Sequence, residues 1–469
     1  MKLQANQFID AARIALQDDT LYQSVKKATG KAYNGRISTM SETSPEHGQA
    51  MRQHAAYARR RGLMGLPDLL ELAEQRLTEN GVTVLWAVDA AEACAHVQQL
   101  ANEHGVQKVV KSKSMLSEEI GLNHALEEAG ITVVETDLGE YILQLSEEAP
   151  SHIVTPVIHK SKESIRDLFV EKINMPLTDE AAEMARFARQ VLREDFLTAD
   201  MGISGGNFVI AETGTLCLAT NEGNARMVTT MPHVHVAVVG IEKVIESLEV
   251  YAMLAQVLSR SATGQKMTVY NHMINGPRRP DDPDGPEHVV VVFVDNGRSR
   301  IYGSTYAEAL ACIRCGACLN ACPIYQQMGG HAYGWVYPGP IGSVVTPLLN
   351  GPENASPLPH ASSLCGACKE ACPVDIDIPR MLLELRHDLV EMGVSDIRFD
   401  VGMQAWMRGM TSQMAFMLGS KAASITLRAL PIEKMLPRPL SGWTDHREFP
   451  TFAPKTFHQL WKERNNEQS

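Results

Sequence analysis

From about residue 70 to residue 300, short apolar runs alternate with amphipathic stretches. Residues 82–88, 108–110 and 131–134 are rich in β-branched side chains, whereas 90–104 and 116–129 repeat apolar positions at helical spacing. A pattern that switches between these two periods predicts an α/β layer with a largely parallel sheet. Further strands are predicted at 208–211, 215–219, 234–239 and 289–294, and further helices at 179–193 and 242–258. The Pro-, Asp- and Gly-rich stretch 275–287 predicts a solvated loop, and the α/β domain is expected over 70–300, closing after Gly297. Upstream, Phe8, Ala11, Ala12 and Leu16 mark a helical N-terminal extension over 1–69, in which Arg59, Arg60 and Arg61 read as a solvated helix face. Downstream, the cysteines fall in 301–395. A Met- and Pro-rich C-terminal region over 396–469 carries Met403, Met407, Met410, Met414 and Met417 as a helical stripe, read as adaptable core or a seat for a partner subunit. Pro431, Pro437, Pro439, Pro450 and Pro454 make its end irregular. No internal repeat runs through the chain at a fixed period.

Composition narrows the class of partner. The 469 residues are 44% apolar and 21% charged, which suits two or three folded domains. The formal net charge of −12 argues against a nucleic-acid backbone as partner. The longest apolar run, 289–294, is far short of the roughly 20 residues of a membrane-spanning helix. The opening residues lack the basic start and apolar stretch of a secretory leader. A cytoplasmic chain is expected, peripheral to the inner membrane only through partners.

Cysteine placement carries the chemistry. An even spread of nine cysteines would leave about one in 312–372, and seven are there. Cys312, Cys315, Cys318, Cys322 and Pro323 reproduce the C-x2-C-x2-C-x3-C-P run of iron–sulfur proteins, whose fourth cysteine serves the neighbouring cluster. Cys365, Cys368, Cys372 and Pro373 supply the reciprocal set. Two iron–sulfur clusters are therefore expected, a [4Fe-4S] cluster on Cys312, Cys315, Cys318 and Cys372, and a [4Fe-4S] or [3Fe-4S] cluster on Cys322, Cys365 and Cys368. Zinc also binds C-x2-C pairs, but seven thiolates are too many for one ion and the terminal Cys-Pro steps have no role there. Ser362 stands where the second motif should begin. An oxygen ligand, a three-iron cluster or an open iron would each account for it. Cys94 and Cys217 lie in the α/β region and read as buried structural thiols.

Polar clusters interrupt the α/β region behind several strands, at 111–114, 135–140, 202–206, 212–215 and 221–224. Open α/β sheets place ligand crevices there, and Glu135, Asp137, Glu212 and Asn224 are the candidate lining of a pocket for a small-molecule anion. His233 and His235 alternate on one side of a strand and read as satisfied imidazoles. No flavin or nicotinamide fingerprint stands out.

The segment from Pro373 through Val-Asp-Ile-Asp-Ile-Pro into a helix at 380–392 resembles the α-helical ferredoxin domains of succinate dehydrogenase iron–sulfur subunits over about 305–395. That resemblance implies one-electron relay. The runs Lys-Ser-Lys-Ser-Met from 111, Glu-Thr-Asp-Leu-Gly-Glu from 135, Pro-Ser-His-Ile-Val from 150, Ala-Glu-Thr-Gly-Thr from 211 and Asn-Glu-Gly-Asn from 221 resemble the lactate-utilisation domain. In this order, ahead of the cysteines, they make 70–460 similar to the lactate utilisation protein B family. The resemblance implies a fold like sugar-phosphate isomerases and CoA transferases for the α/β domain. It also implies that electrons from oxidation of L-lactate to pyruvate pass through the clusters to other subunits of a lactate-oxidising complex. The competing reading makes the α/β domain an isomerase or acyl-CoA transferase with Glu135 or Glu212 as base or nucleophile, and the clusters structural or regulatory.

Overall fold

Valine- and isoleucine-rich runs become strands where helices can bury both of their faces, because branched side chains fit a pleated surface better than a helix. The computed structural model describes residues 2–394, 397–429 and 453–467. Its strands are β1 (Thr83–Ala87), β2 (Lys108–Lys111), β3 (Thr132–Glu135), β4 (Met201–Ser204), β5 (Phe208–Ile210), β6 (Thr215–Thr220), β7 (Val234–Gly240), β8 (Val244–Ile245), β9 (Tyr270–Ile274) and β10 (His288–Val294). Six of them form an all-parallel sheet in the order β1-β10-β7-β4-β2-β3. From β2 the chain moves outward to β3 and then returns to the other side of β2 as β4, so a topological switch point opens between the ends of β2 and β4. The remaining strands make a smaller sheet, β8-β5-β6-β9, built on the β5–β6 hairpin.

The predicted strands all form, and three others were hidden. β4 lies inside the glycine cluster 202–206, where Gly202 breaks the apolar pattern. A Cβ there would collide with the Val228 carbonyl, so glycine is what lets the helix Asn224–Thr230 sit against the strand. β8 interrupts the helix predicted at 242–258, which begins only at Leu248 under a Ser247 cap. β9 carries no continuous apolar run. The helix predicted at 116–129 is split into Met115–Glu119 and Leu122–Glu128 at Gly121, whose φ of 70° is left-handed.

The N-terminal helices Asp19–Met40 and Pro45–Met64 start at the side-chain caps Asp18 and Ser44. They pack against both the α/β layer and the cysteine segments. The basic run is a solvated face only in part: Arg61 is exposed, but Arg59 is buried and Arg60 half-buried. Arg59 is 1% exposed, and its guanidinium donates to the carbonyls of Glu242 (2.8 Å), Leu310 (2.9 Å) and Ala311 (3.2 Å). Arg60 pairs with Glu308 at 2.6 Å and donates to the Asp375 carbonyl at 2.7 Å, while Arg61 pairs with Glu246. Arginine is tolerated there because its planar fork satisfies several buried carbonyls at once.

A second buried guanidinium joins the α/β layer to the cysteine region. Arg298, just past β10, is 2% exposed and pairs with Glu119 (2.8 Å) and Glu242 (2.7 Å). Tyr337 and Asn296 also donate to Glu119, at 2.6 and 2.7 Å. The Tyr337 ring lies 4.3 Å from the Arg314 guanidinium, between Cys312 and Cys315.

Residues 393–469 form a separate unit. Its described helices are Ile397–Thr411, Gln413–Ala429 and Phe457–Glu467. The methionine stripe is not core there, because Met403, Met407, Met410 and Met414 are exposed. Pro431, Pro437, Pro439 and Pro450 lie outside the described residues. Among the described residues no helix is long and apolar enough to cross a membrane.

The Arg298 network has a pH signature. Burial pushes the Glu242 carboxyl up, but Arg298, Lys243 and Arg314 outweigh it and bring it down to about 2. A carboxyl depressed in the folded state contributes stability above its ordinary value of 4.5 and loses that contribution as pH falls through its folded value. Glu242→Gln is expected to cost about 3 kcal/mol at neutral pH and to flatten the acid loss between those two values. Acid-unfolding curves measured side by side check this, and superimposable curves would contradict it.

Candidate metal centre and the carboxylate pocket beside it

The two cysteine groups fold as copies of one loop. Each runs through a left-handed residue and a left-handed glycine into a short helix, Ala317–Ala321 or Ala367–Ala371, and ends on an extended cysteine, Cys322 or Cys372. Cys312, Cys315, Cys318 and Cys372 line one cavity, otherwise walled mainly by Ile153, Ile313, Ile341, Val374 and Ile376. Cys322, Cys365 and Cys368 form the other group, close enough that Cys365 pushes the other two thiols up and Cys322 pushes up Cys368. The crossing of the last cysteine of each motif to the opposite group is therefore present in the fold. Cys322 and Cys368 are buried, and Cys365 is exposed.

These thiols suit an iron–sulfur group. Burial first, and then Cys372 and Cys312, push the Cys315 thiol up; burial and four neighbouring cysteines do the same to Cys318. Burial lifts Cys372 to about 11 and Cys368 to about 12. Sulfurs so placed become thiolates only when metal replaces their protons. Among the described residues no three His, Cys, Asp or Glu groups gather tightly enough to hold a single metal ion. The first four sulfurs instead rim a cavity.

Cations and amides surround that cavity. The Arg314 and Ile376 amides donate to Cys312 and Cys372 Sγ, each at 3.4 Å. Arg52 donates to the Cys372 carbonyl at 3.0 Å, and Arg36 to that of Glu370 at 3.2 Å. Such donors favour added negative charge on a cluster and tune its potential. Cys94 and Cys217 stay apart as buried thiols, with burial lifting Cys217 to about 12.

The α/β layer meets the cavity through residues 151–155. His152 is buried, and its Nδ1 accepts the amides of Val154 (3.0 Å) and Thr155 (3.1 Å). With that lone pair engaged, the ring proton belongs on Nε2, and burial together with Lys113 holds the ring neutral down to about 3. The ring lies against Gly316, where an added Cβ would come within 2.9 Å of it. Gly316, at φ 73°, thus provides both the turn and the close approach.

Behind this segment, at the switch point, lies a cluster of charged and polar side chains, the carboxylate pocket. Lys111 ends β2 fully buried and pairs with Glu135 (2.7 Å) and Glu118 (3.1 Å). Lys113 donates to the Val154 carbonyl at 2.6 Å and faces Asp137, Glu140 and Glu222. Asp137 caps the helix Leu138–Ser146 through the Gly139 and Glu140 amides. Asn224 reaches Thr136 Oγ1 at 3.5 Å. Glu135, Asp137 and Asn224 are thus brought together. Glu212 is not: it sits exposed on the far turn of the β5–β6 hairpin, where its amide donates to the Glu246 carbonyl, whereas Asn224 follows the root of that hairpin. The four predicted residues do not share one site.

Five carboxyl groups outnumber two ammonium groups in the pocket, so its charge alone does not favour an anion. Burial, followed by Lys113 in the opposite sense and Glu135 in the same sense, leaves the Glu140 carboxyl up at about 8, able to donate a proton to a bond at neutral pH. Glu135 Oε2, Glu140 Oε1 and Asn224 Oδ1 are buried without a hydrogen-bond partner. His235 stays outside: buried in β7, it meets Ser204 Oγ at 2.8 Å, while exposed His233 approaches Glu287 at 3.5 Å.

Three family models match successive parts of the chain: the LUD domain over 70–294, the 4Fe-4S dicluster domain over 308–376, and the C-terminal region of lactate utilisation protein B over 393–466. Lactate utilization protein B of Oceanobacillus iheyensis is 43% identical, covering 96% of this chain and 94% of its own. The protein of that name from Bacillus cytotoxicus is 42% identical over 99% of this chain and 98% of its own. The chain belongs to the lactate utilization protein B family. A solved duf162 family protein from Deinococcus radiodurans aligns with 49% of this chain and 98% of its own at 15% identity, with a TM-score of 0.29, too loose a match to carry a fold assignment.

In this member of the lactate utilization protein B family, the mixed α/β domain is followed by a 4Fe-4S dicluster domain and a helical C-terminus. Several residues around the sites had no local signal. Arg36, Arg52, Arg59, Glu119 and Arg298 act on segments far away in sequence, and His152 lay unassigned within the run 150–154.

The Lys111–Glu135 pair is open to a direct test. Lys111→Met leaves Glu135 buried without its cation and is expected to cost about 3–5 kcal/mol near neutral pH. Burial pushes Glu135 up, so it takes a proton as pH falls and the penalty shrinks. Denaturant titrations at neutral and mildly acidic pH measure the difference, and a penalty that grows toward acid would refute the account.

Proposed function

We propose that the chain is the iron–sulfur electron-transfer component of a bacterial multi-protein system for lactate utilisation that oxidises L-lactate to pyruvate. Removing two electrons and two protons from a 2-hydroxy acid requires a carrier that passes charge onward, and iron–sulfur clusters, when bound, supply one-electron relay. Cys312, Cys315, Cys318 and Cys372 would hold a [4Fe-4S] cluster, and Cys322, Cys365 and Cys368 a second [4Fe-4S] or [3Fe-4S] cluster. The reading is carried by one observation: four cysteines from two loops converge on a single cavity, with the remaining three grouped beside it.

Burial gives the two groups different tasks. The first lies beneath the α/β layer against Ile153, where the walls are mostly apolar and Arg36 and Arg52 favour an added electron. The second includes Cys365, whose exposure suits electron exchange with other subunits of the complex. In the α/β domain, read as sugar-phosphate isomerase- and CoA transferase-like in fold, Glu135, Asp137 and Asn224 serve binding rather than turnover. Glu135 is committed to Lys111 and Glu212 lies on a remote turn, which weighs against either as a catalytic base. The proposed domains are 1–69, 70–300, 301–395 and 396–469. Thiolates of this kind persist in a reducing compartment, which favours the cytoplasm, with membrane contact only through partners.

Anaerobic purification together with the partner proteins tests this reading. About seven to eight irons per chain, matching sulfide and a lactate-dependent change in the cluster spectrum are expected. Cys315→Ser should lose about half of the iron, that of the first cluster. Stoichiometric zinc without sulfide would overturn the cluster assignment, and spectra unmoved by lactate in the complete system would overturn the electron-transfer role.

A further inference from the structure

The two cysteine loops match, at an offset of fifty positions, beyond the cysteines themselves. Arg314 and Leu364 both adopt left-handed backbone, at φ 58° and 55°, although neither is glycine. Gly316 and Gly366 follow at φ 73° and 84°. The Leu319 and Lys369 amides each donate to the preceding loop glycine's carbonyl at 3.0 Å. Cys322 and Cys372 close the loops at φ −80° and −70° with ψ 118° and 121°.

The match extends to the first position of each motif. The Arg314 amide donates to Cys312 Sγ at 3.4 Å, and the Leu364 amide donates to Ser362 Oγ at 3.1 Å. The hydroxyl oxygen of Ser362 therefore takes the place in its loop that a cavity-lining thiol takes in the other. The shorter distance is that expected when oxygen replaces the larger sulfur. The segment is anchored from outside, because Arg386 donates to the carbonyls of Pro359 (2.9 Å) and Ser362 (3.3 Å). A leucine in left-handed backbone has no local reason to be there; the loop keeps it as the Cys312 loop keeps Arg314, at the same step after the first side chain.

We propose that Ser362 Oγ is the fourth protein ligand of the second cluster, which is then a [4Fe-4S] centre held by three thiolates and one oxygen. The inference rests on the cluster reading above and chooses among the three alternatives that the sequence leaves open. Hard oxygen binds iron less firmly than thiolate against oxidative loss, so the Ser362 iron is the one expected to leave first. Its loss would give a three-iron centre, which is paramagnetic when oxidised.

The test uses the full chain, purified anaerobically as wild type, Ser362→Ala, Ser362→Cys and Cys365→Ser, with iron and sulfide counts and electron paramagnetic resonance during graded ferricyanide oxidation. Wild type should hold two four-iron clusters and develop the three-iron signal on oxidation. Ser362→Ala should show that signal as isolated and lack one iron. Ser362→Cys should resist the conversion and show a shifted potential for the second cluster alone. A merely structural hydroxyl, holding the Leu364 amide, would leave the Ser362→Cys oxidation course and potential at the wild-type values, and that result overturns the proposal. So does Ser362→Ala with full iron and wild-type oxidation behaviour, or a wild-type second centre already three-iron before oxidation. If Ser362→Ala fails to fold, the Ser362→Cys comparison decides alone. Failure of the underlying reading looks different: no inorganic sulfide in wild type, or unchanged iron in Cys365→Ser, whatever happens at position 362.

Discussion

The contact of Arg298 with Glu119 and Glu242 is the joint on which the main body of the molecule depends. Its three charged groups come from the end of β10, the helix Met115–Glu119 and the turn Ile241–Lys243 that follows β7, so it fixes three elements of the α/β layer at one point. Burying these charges is costly, and their mutual attraction repays the cost only when the remaining donors and acceptors are filled. Here Tyr337 and Asn296 fill the Glu119 lone pairs, while Arg59 takes the Glu242 carbonyl. Tyr337 belongs to the cysteine region and satisfies the Glu119 carboxylate, while Arg59, from the N-terminal helices, fastens the backbone of Glu242 rather than its carboxylate. The same tyrosine lies against Arg314, whose amide holds Cys312. A cluster loop is thereby set by a salt bridge on which it has no direct contact.

The charge balance around the first cysteine group follows from this arrangement. A four-thiolate cluster brings net negative charge into an apolar cavity, which a low-dielectric interior resists unless cations and amide dipoles face it. Arg36, Arg52, Arg59 and Arg314 reach the region from two separate parts of the chain, and several satisfy carbonyls of the cysteine loops as well. Burial brings nearby Lys243 down to about 8, so its charge depends on the same neighbours. The N-terminal helices are thus part of the cluster's surroundings.

What could be read from the sequence divides along the same line. Strands buried on both faces leave continuous apolar runs, so β7 and β10 were legible, and cluster loops leave fixed cysteine spacings. β4 was not, because Gly202 is selected by the approach of the helix Asn224–Thr230, a tertiary demand with no local trace. Arg59 looked solvated because an arginine that satisfies carbonyls some 250 positions away is locally indistinguishable from one facing water. Glu212 looked like its neighbours in motif order, yet the β5–β6 hairpin carries it away from Asn224. Glu135, Asp137 and Asn224 lie near one another, and only the hairpin's direction separates Glu212 from them.

One short segment couples the two chemical regions. Between residues 151 and 155 the Val154 carbonyl receives Lys113 from the carboxylate pocket, Ile153 walls the cysteine cavity, and His152 lies against Gly316. A change of charge among Glu140, Asp137 and Lys113 therefore acts on backbone that also borders the first cysteine group. His152 cannot screen that effect by taking a proton, since burial and the two amides at Nδ1 keep it neutral. The pocket and the cavity are held at a fixed separation by a neutral, close-packed wall. Within such a wall, electrostatic influence passes with little screening.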